Sequence, residues 1–109
     1  MSVSDEEIAH ALELFDSLGD LTTRKMMGGL CIYHRGTIFA LLMSDGQLYL
    51  KGAGDFHDVL KDAGCTRWTY QREGAKRKPT AMPYWTMPDA ALDDPEEAVA
   101  WARRALEHL

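Results

Sequence analysis

The stretch RKMMGGLCIYHRGTIFALLMSDGQLYLK, residues 24–51, decides the fold. Its three short apolar runs are separated by Arg35-Gly36 and Asp45-Gly46, pairs that suit tight hairpin turns because such turns need positive φ. The stretch therefore reads as a three-stranded antiparallel meander. In the first strand Leu30 and Ile32 point one way, Cys31 and Tyr33 the other. The second, residues 38–43, is apolar on both faces, which predicts a central place in the sheet. The third alternates, with Leu48 and Leu50 opposite Gln47, Tyr49 and Lys51, so one of its faces is core and the other partly wet.

A helix precedes the meander. Ser4 and Glu7 form a capping box, and Ile8, Leu12 and Phe15 recur at helical spacing, widened by Ala11 and Leu18. Gly19 supplies the stop. After the meander, Asp55 and Asp58 open a short second helix with Phe56, Val59, Leu60 and Ala63 as its stripe and Gly64 at its end. Two more strands are expected at residues 66–72 and 82–87, joined by the polar, basic loop REGAKRKPT. Pro83 and Pro88 bracket the last strand, which predicts an edge position because proline cannot donate to a ladder. Asp94, Pro95 and Glu97 then start a final helix, with Ala98, Trp101, Ala102, Ala105 and Leu109 as its apolar stripe. Arg103, Arg104 and His108 complement the negative end of its dipole. The order is α-β(3)-α-β(2)-α, an α+β fold with helices packed on a five-stranded antiparallel sheet.

At 109 residues the chain has room for a single domain, 1–109, with one core. An apolar content of 46% and a charged content of 27% are those of an ordinary soluble protein. No run is long enough to span a bilayer, and MSVSDEEIAH lacks the basic and apolar regions of a signal peptide, so a cytoplasmic location is expected. Twelve basic and 17 acidic residues give a net charge of −5, a poor starting point for displacing counterions from DNA. Charge is unevenly placed, however: Arg67, Arg72, Lys76, Arg77 and Lys78 make a basic island.

Several segments together resemble the TfoX/Sxy N-terminal-domain family. Arg24-Lys25-Met26-Met27-Gly28-Gly29 is similar to its Arg-x-Met-Phe-Gly-Gly signature, with Met27 in place of Phe. Thr37-Ile38-Phe39-Ala40-Leu41 and Leu48-Tyr49-Leu50-Lys51 resemble its "mFAL" and "LYLK" segments. Trp68-Thr69-Tyr70 resembles its aromatic-Thr-Tyr strand, and Tyr84-Trp85 with Pro88 its Tyr-Trp-x-x-Pro segment. The likeness runs from about residue 14 to about residue 105. It implies the same α-β(3)-α-β(2)-α order. It also implies a bacterial competence regulator whose full-length members carry a helical C-terminal domain and act with the cyclic AMP receptor protein. The likeness is to the N-terminal segment alone, so no helical C-terminal domain is expected within these residues.

Chemistry finds little footing. The four histidines, His10, His34, His57 and His108, show no zinc-site spacing, and no Gly-x-Ser-x-Gly is present. No metal and no cofactor is expected. Cys31 beside His34 would point to the opposite face of one strand, which argues against a nucleophile–base pair. Gly28-Gly29 leads into a strand and not a helix, so it reads as a bend and not a phosphate cradle. In a cytosolic setting Cys31 and Cys65 are expected as reduced hydrophobes.

The expected function is therefore non-enzymatic: protein–protein contacts in transcriptional regulation, with a transcription factor as the candidate partner and a homodimer as a further option. Arg24, Tyr49, Lys51 and Trp85 are the candidate protein-binding residues, being residue types that anchor interfaces. The alternatives are direct nucleic-acid binding through Arg67, Arg72, Lys76, Arg77 and Lys78, and a small-molecule or redox role of Cys31 and Cys65. Alternation disfavours the first, since it makes Trp68 and Tyr70 core residues and leaves Arg67 outside.

Overall fold

The computed structural model describes residues 4–26, 29–70 and 80–109. Helix α1, Asp5–Leu14, begins where the capping box predicts. Ser4 Oγ accepts from the Glu7 backbone N–H at 3.2 Å, and the hydroxyl donates to Glu7 Oε1 at 2.9 Å. A 3₁₀ turn, Asp16–Leu18, follows, and Gly19 reverses the chain at φ 78°.

Among the described residues the sheet has six strands, one more than expected. β1 (Leu21–Met26), β2 (Gly29–His34), β3 (Thr37–Leu42), β4 (Leu48–Lys51), β5 (Arg67–Tyr70) and β6 (Thr80–Thr86) lie in the order β1-β2-β3-β4-β6-β5, every neighbour antiparallel. The additional strand is β1. It pairs with β2 from Leu21 opposite His34 to Met26 opposite Gly29, so the family-signature residues Arg24 to Met26 are strand and not lead-in. The predicted meander is present as β2–β3–β4, with β3 interior. At the first turn Arg35 and Gly36 both have positive φ, 49° and 83°, as a primed hairpin turn requires. The second turn is longer: Gly46 N–H donates to the Met43 carbonyl and only Gly46, at φ 84°, is left-handed. Gly29 is required by close approach, since a Cβ there would meet the Leu42 carbonyl oxygen at 2.6 Å. Gly28 and Met27 lie outside the described residues.

β6 corrects a second expectation. Despite Pro83 it is interior, and β5 is the edge. The proline is tolerated because it sits in an irregularity. Arg67 pairs with Trp85 and Thr69 with Ala81, so two steps along β5 correspond to four along β6. The β4 ladder ends one residue earlier, at Tyr84, and the Pro83 carbonyl still accepts from Gly52 N–H at 2.8 Å. A bulge is where a residue without an N–H can enter a sheet.

Helix α2 spans Phe56–Asp62, and α3, capped by Asp94 through Glu96 N–H and Glu97 N–H, spans Pro95–Glu107. All three helices contribute to one core against one sheet face. Ala11, Leu14, Phe15, Phe56, Leu60, Ala98, Ala102 and Ala105 meet Leu30, Ile32, Phe39, Leu42, Leu48, Leu50 and Trp85 there. Three alanines on α3 let its backbone approach the sheet closely. Leu109, expected in the α3 stripe, is instead exposed past the helix end. Among the described residues no helix is long and apolar enough to cross a membrane.

Candidate functional site

Alternation sends the other half of the strand side chains to the opposite face, and no helix of the described residues joins a core there. The ladder aligns one row across this face: Arg24 on β1 opposite Cys31 on β2, Leu41 on β3, Tyr49 on β4 and Thr86 on β6. Beside it Lys51 pairs with Tyr84, and Tyr33 pairs with both Thr22 and Ile38. Arg24, Tyr49 and Lys51, separated by up to 27 positions in sequence, therefore share one face.

Aromatic rings join them. Trp68 lies 6.0 Å from Tyr49 and 6.3 Å from Tyr84, centroid to centroid, tilted 55° and 54°. These rings and Tyr33 are half-buried, while Cys31 and Leu41 form a floor only 3% and 5% exposed. Burial pushes the Tyr84 hydroxyl's pKa up, with Cys31 and Tyr33 adding to the rise. Burial also raises Tyr49, helped by the nearby Asp45 carboxylate.

Trp85 does not belong to this face, contrary to expectation. It is 6% exposed, lies in the helix-side core, and donates its indole N–H to His57 Nδ1 at 3.0 Å. Adjacent residues of a strand face opposite ways, so of the pair Tyr84-Trp85 it is Tyr84 that reaches the open side. Gly52 makes the indole–imidazole contact possible, because a Cβ at that position would lie 2.8 Å from His57 Nδ1.

The phase of β5 is likewise the reverse of the one expected. Arg67 points to the helix side, where its guanidinium sits 5.5 Å over the Trp85 ring and Nε donates to the Met82 carbonyl at 2.8 Å. Trp68 takes the open side. The Tyr70 side chain and Arg72, Lys76, Arg77 and Lys78 lie outside the described residues. The basic set therefore has one described member, and its charge is engaged inside the fold.

The thiols are placed apart. Cys31 is on the open face and Cys65 packs against the helix-side core; both are free. Burial raises Cys31, partly offset by a hydrogen bond from Tyr33 and the Arg24 charge, and burial then Asp89 raises Cys65. His34 gives Nδ1–H to the Gly19 carbonyl at 2.8 Å, on the side of β2 away from Cys31. Among the described residues no three His, Cys, Asp or Glu side chains are grouped to hold a metal ion.

The family model described as TfoX N-terminal domain matches residues 13–109. The chain belongs to the TfoX N-terminal domain family. A curated relative, the DNA transformation protein TfoX1 of Aliivibrio fischeri, is 27% identical over 77 residues. That alignment covers 67% of this chain and 36% of the relative, so the chain spans about a third of the relative's length. In this TfoX N-terminal domain the signature arginine, Arg24, and the "LYLK" residues Tyr49 and Lys51 are the ones the sheet gathers on its helix-free face. Tyr33, Trp68 and Tyr84 complete that surface. Two of these three lie in the other family-like segments, but their orientation follows from long-range pairing, Lys51 opposite Tyr84 and Arg67 opposite Trp85, which leaves no mark on hydrophobic periodicity.

Proposed function

We propose that this domain performs no chemistry of its own and acts in the cytoplasm as a docking module, its helix-free sheet face being the surface that binds another protein. One observation carries the reading: Arg24, Tyr49 and Lys51 share that face with Tyr33, Trp68 and Tyr84. Arg, Tyr and Trp are the residues that most often anchor protein interfaces, and the buried Cys31 and Leu41 floor gives them fixed positions. The name of the A. fischeri relative suggests DNA transformation as the setting. The family resemblance suggests a transcription factor as partner. Raised thiol pKa values and the separation of Cys31 from His34 speak against nucleophilic or redox work.

Nucleic acid is the competing reading, since Trp68 faces outward and not into the core. A base needs a free ring face on which to stack. Here Trp68, Tyr49 and Tyr84 are tilted against one another and half-buried, the arrangement of a packed cluster.

The test is capture of a partner from native cells by the tagged domain. Lys51→Glu should abolish the capture and Arg77→Glu should leave it unchanged. Loss with Arg77→Glu and retention with Lys51→Glu would move the functional surface to the basic loop.

A further inference from the structure

Among the described residues no carboxylate side chain lies in a strand, although the chain's net charge is −5. The charged side chains of the six strands are Arg24, Lys25, Lys51 and Arg67, every one an arginine or lysine. Acidic residues gather elsewhere, notably in the first turns of α1 and α3. Among the described residues the strand side chains of the open face thus carry positive charge alone, from Arg24 at one side and Lys51 near its middle. Among the described residues the one ion pair is Arg35 with Asp20, so neither Arg24 nor Lys51 has a carboxylate within 4.0 Å. Asp45, in the β3–β4 turn, adds to the raised pKa of Tyr49.

We propose that the occupant of this face is an acidic polypeptide segment that also carries aromatic side chains. The inference rests on the docking reading above and names the partner's chemistry. Carboxylates of such a segment would pair with the Arg24 guanidinium and the Lys51 ammonium. Its rings would pack on the Tyr49, Trp68 and Tyr84 cluster over the Cys31 and Leu41 floor. Complementary charge speeds encounter and sets register, and the aromatic contacts hold the complex. A basic partner would bring like charge against Arg24 and Lys51. The densest acidic groups a second copy of this chain would offer among its described residues are the first turns of α1 and α3, whose residues include no aromatic. Among the described residues a nucleic acid would find two cations on this face, too few for counterion release to drive binding.

The random copolymer of glutamate and tyrosine is a defined probe. It is titrated into isotope-labelled full chain, with amide shifts mapped onto the strands. The copolymer of lysine and tyrosine and single-stranded oligo(dT) are run in parallel, and sedimentation reports self-association. We expect shifts on β1, β2, β4, β5 and β6, and binding that weakens steeply as salt rises. Arg24→Glu or Lys51→Glu should each weaken binding about tenfold, while Arg77→Glu leaves it unaltered. Preference for the lysine copolymer on the same face would overturn the acidic partner and leave the docking face standing. Tighter binding of oligo(dT), lost with Lys51→Glu, would overturn both. Dimerisation through the face, or no binding of the glutamate copolymer, would overturn the acidic partner.

Discussion

The Tyr49 and Trp68 rings lie 6.0 Å apart although strand β6 runs between the strands that carry them. Trp68 reaches across β6 and lies against Tyr84 on the way, so three strands are joined by side chains as well as by their ladder. Replacing Trp68 by alanine should therefore loosen β5 first, because β5 is the edge strand. We expect amide exchange in Arg67–Tyr70 to quicken well before that of β2 and β3. Uniform quickening across all strands would show that the ring serves the whole core instead.

A cavity variant measures that core separately. Phe15 is fully buried and meets Phe39 edge-on at 5.1 Å. Phe15→Ala should cost about 3–5 kcal/mol in urea unfolding, from lost burial and the void left behind. A cost below about 1 kcal/mol would mean that α1 does not hold the sheet as described.

Gly52→Ala tests the close approach of Trp85 and His57. The added methyl would press on both rings, and overpacking of this kind costs about 1–3 kcal/mol. The checks are the unfolding midpoint and the Trp85 indole N–H resonance, which should lose its hydrogen-bonded shift. An unchanged resonance would contradict the geometry.

The same contact sets a pH dependence. His57 Nδ1 accepts the Trp85 N–H, so its ring is neutral in the fold. Burial lowers its pKa first, the Arg67 charge adds to this, and Asp58 opposes it. The unfolded state then binds more protons below its ordinary pKa, about 6.5. Stability contributed by His57 is full above that value. It is lost as pH falls from there towards the lowered folded pKa. Thermal unfolding of the wild type should fall over that window more than that of His57→Gln, which can still accept from Trp85. Parallel pH profiles would contradict it.

Much of this fold is legible in the sequence because its signals are local. Ser4 and Asp94 name their helix starts through side-chain bonds made within three residues, and Arg35-Gly36 names its turn by needing positive φ twice. β1 escapes notice because five of its six residues are exposed, so no alternation of apolar and polar residues marks it. Period-two spacing says which residues share a face, but not which face is inward. Arg67 sits inward because a tryptophan ring and a spare carbonyl receive its guanidinium, a long-range circumstance. Trp85, expected on the binding face, is likewise held inward by its bond to His57, and Tyr84 beside it takes the open side, which Arg24, Tyr49 and Lys51 share.

Lys51→Glu should leave the fold intact, at a cost of at most about 1 kcal/mol, since the side chain is half-buried and has no partner to lose among the described residues. Circular dichroism and the unfolding midpoint check this. A larger loss would make the residue structural and remove it from the docking surface.

The most direct measurement is site-specific photo-crosslinking in native cells, with the probe placed singly at Tyr33, at Tyr49 and at Glu13 on the exposed side of α1. The account predicts that Tyr33 and Tyr49 yield the same crosslinked protein and that Glu13 does not yield it. Crosslinks to that protein from Glu13 alone, or to nucleic acid from Tyr33 and Tyr49, would contradict a protein-docking role for the open face.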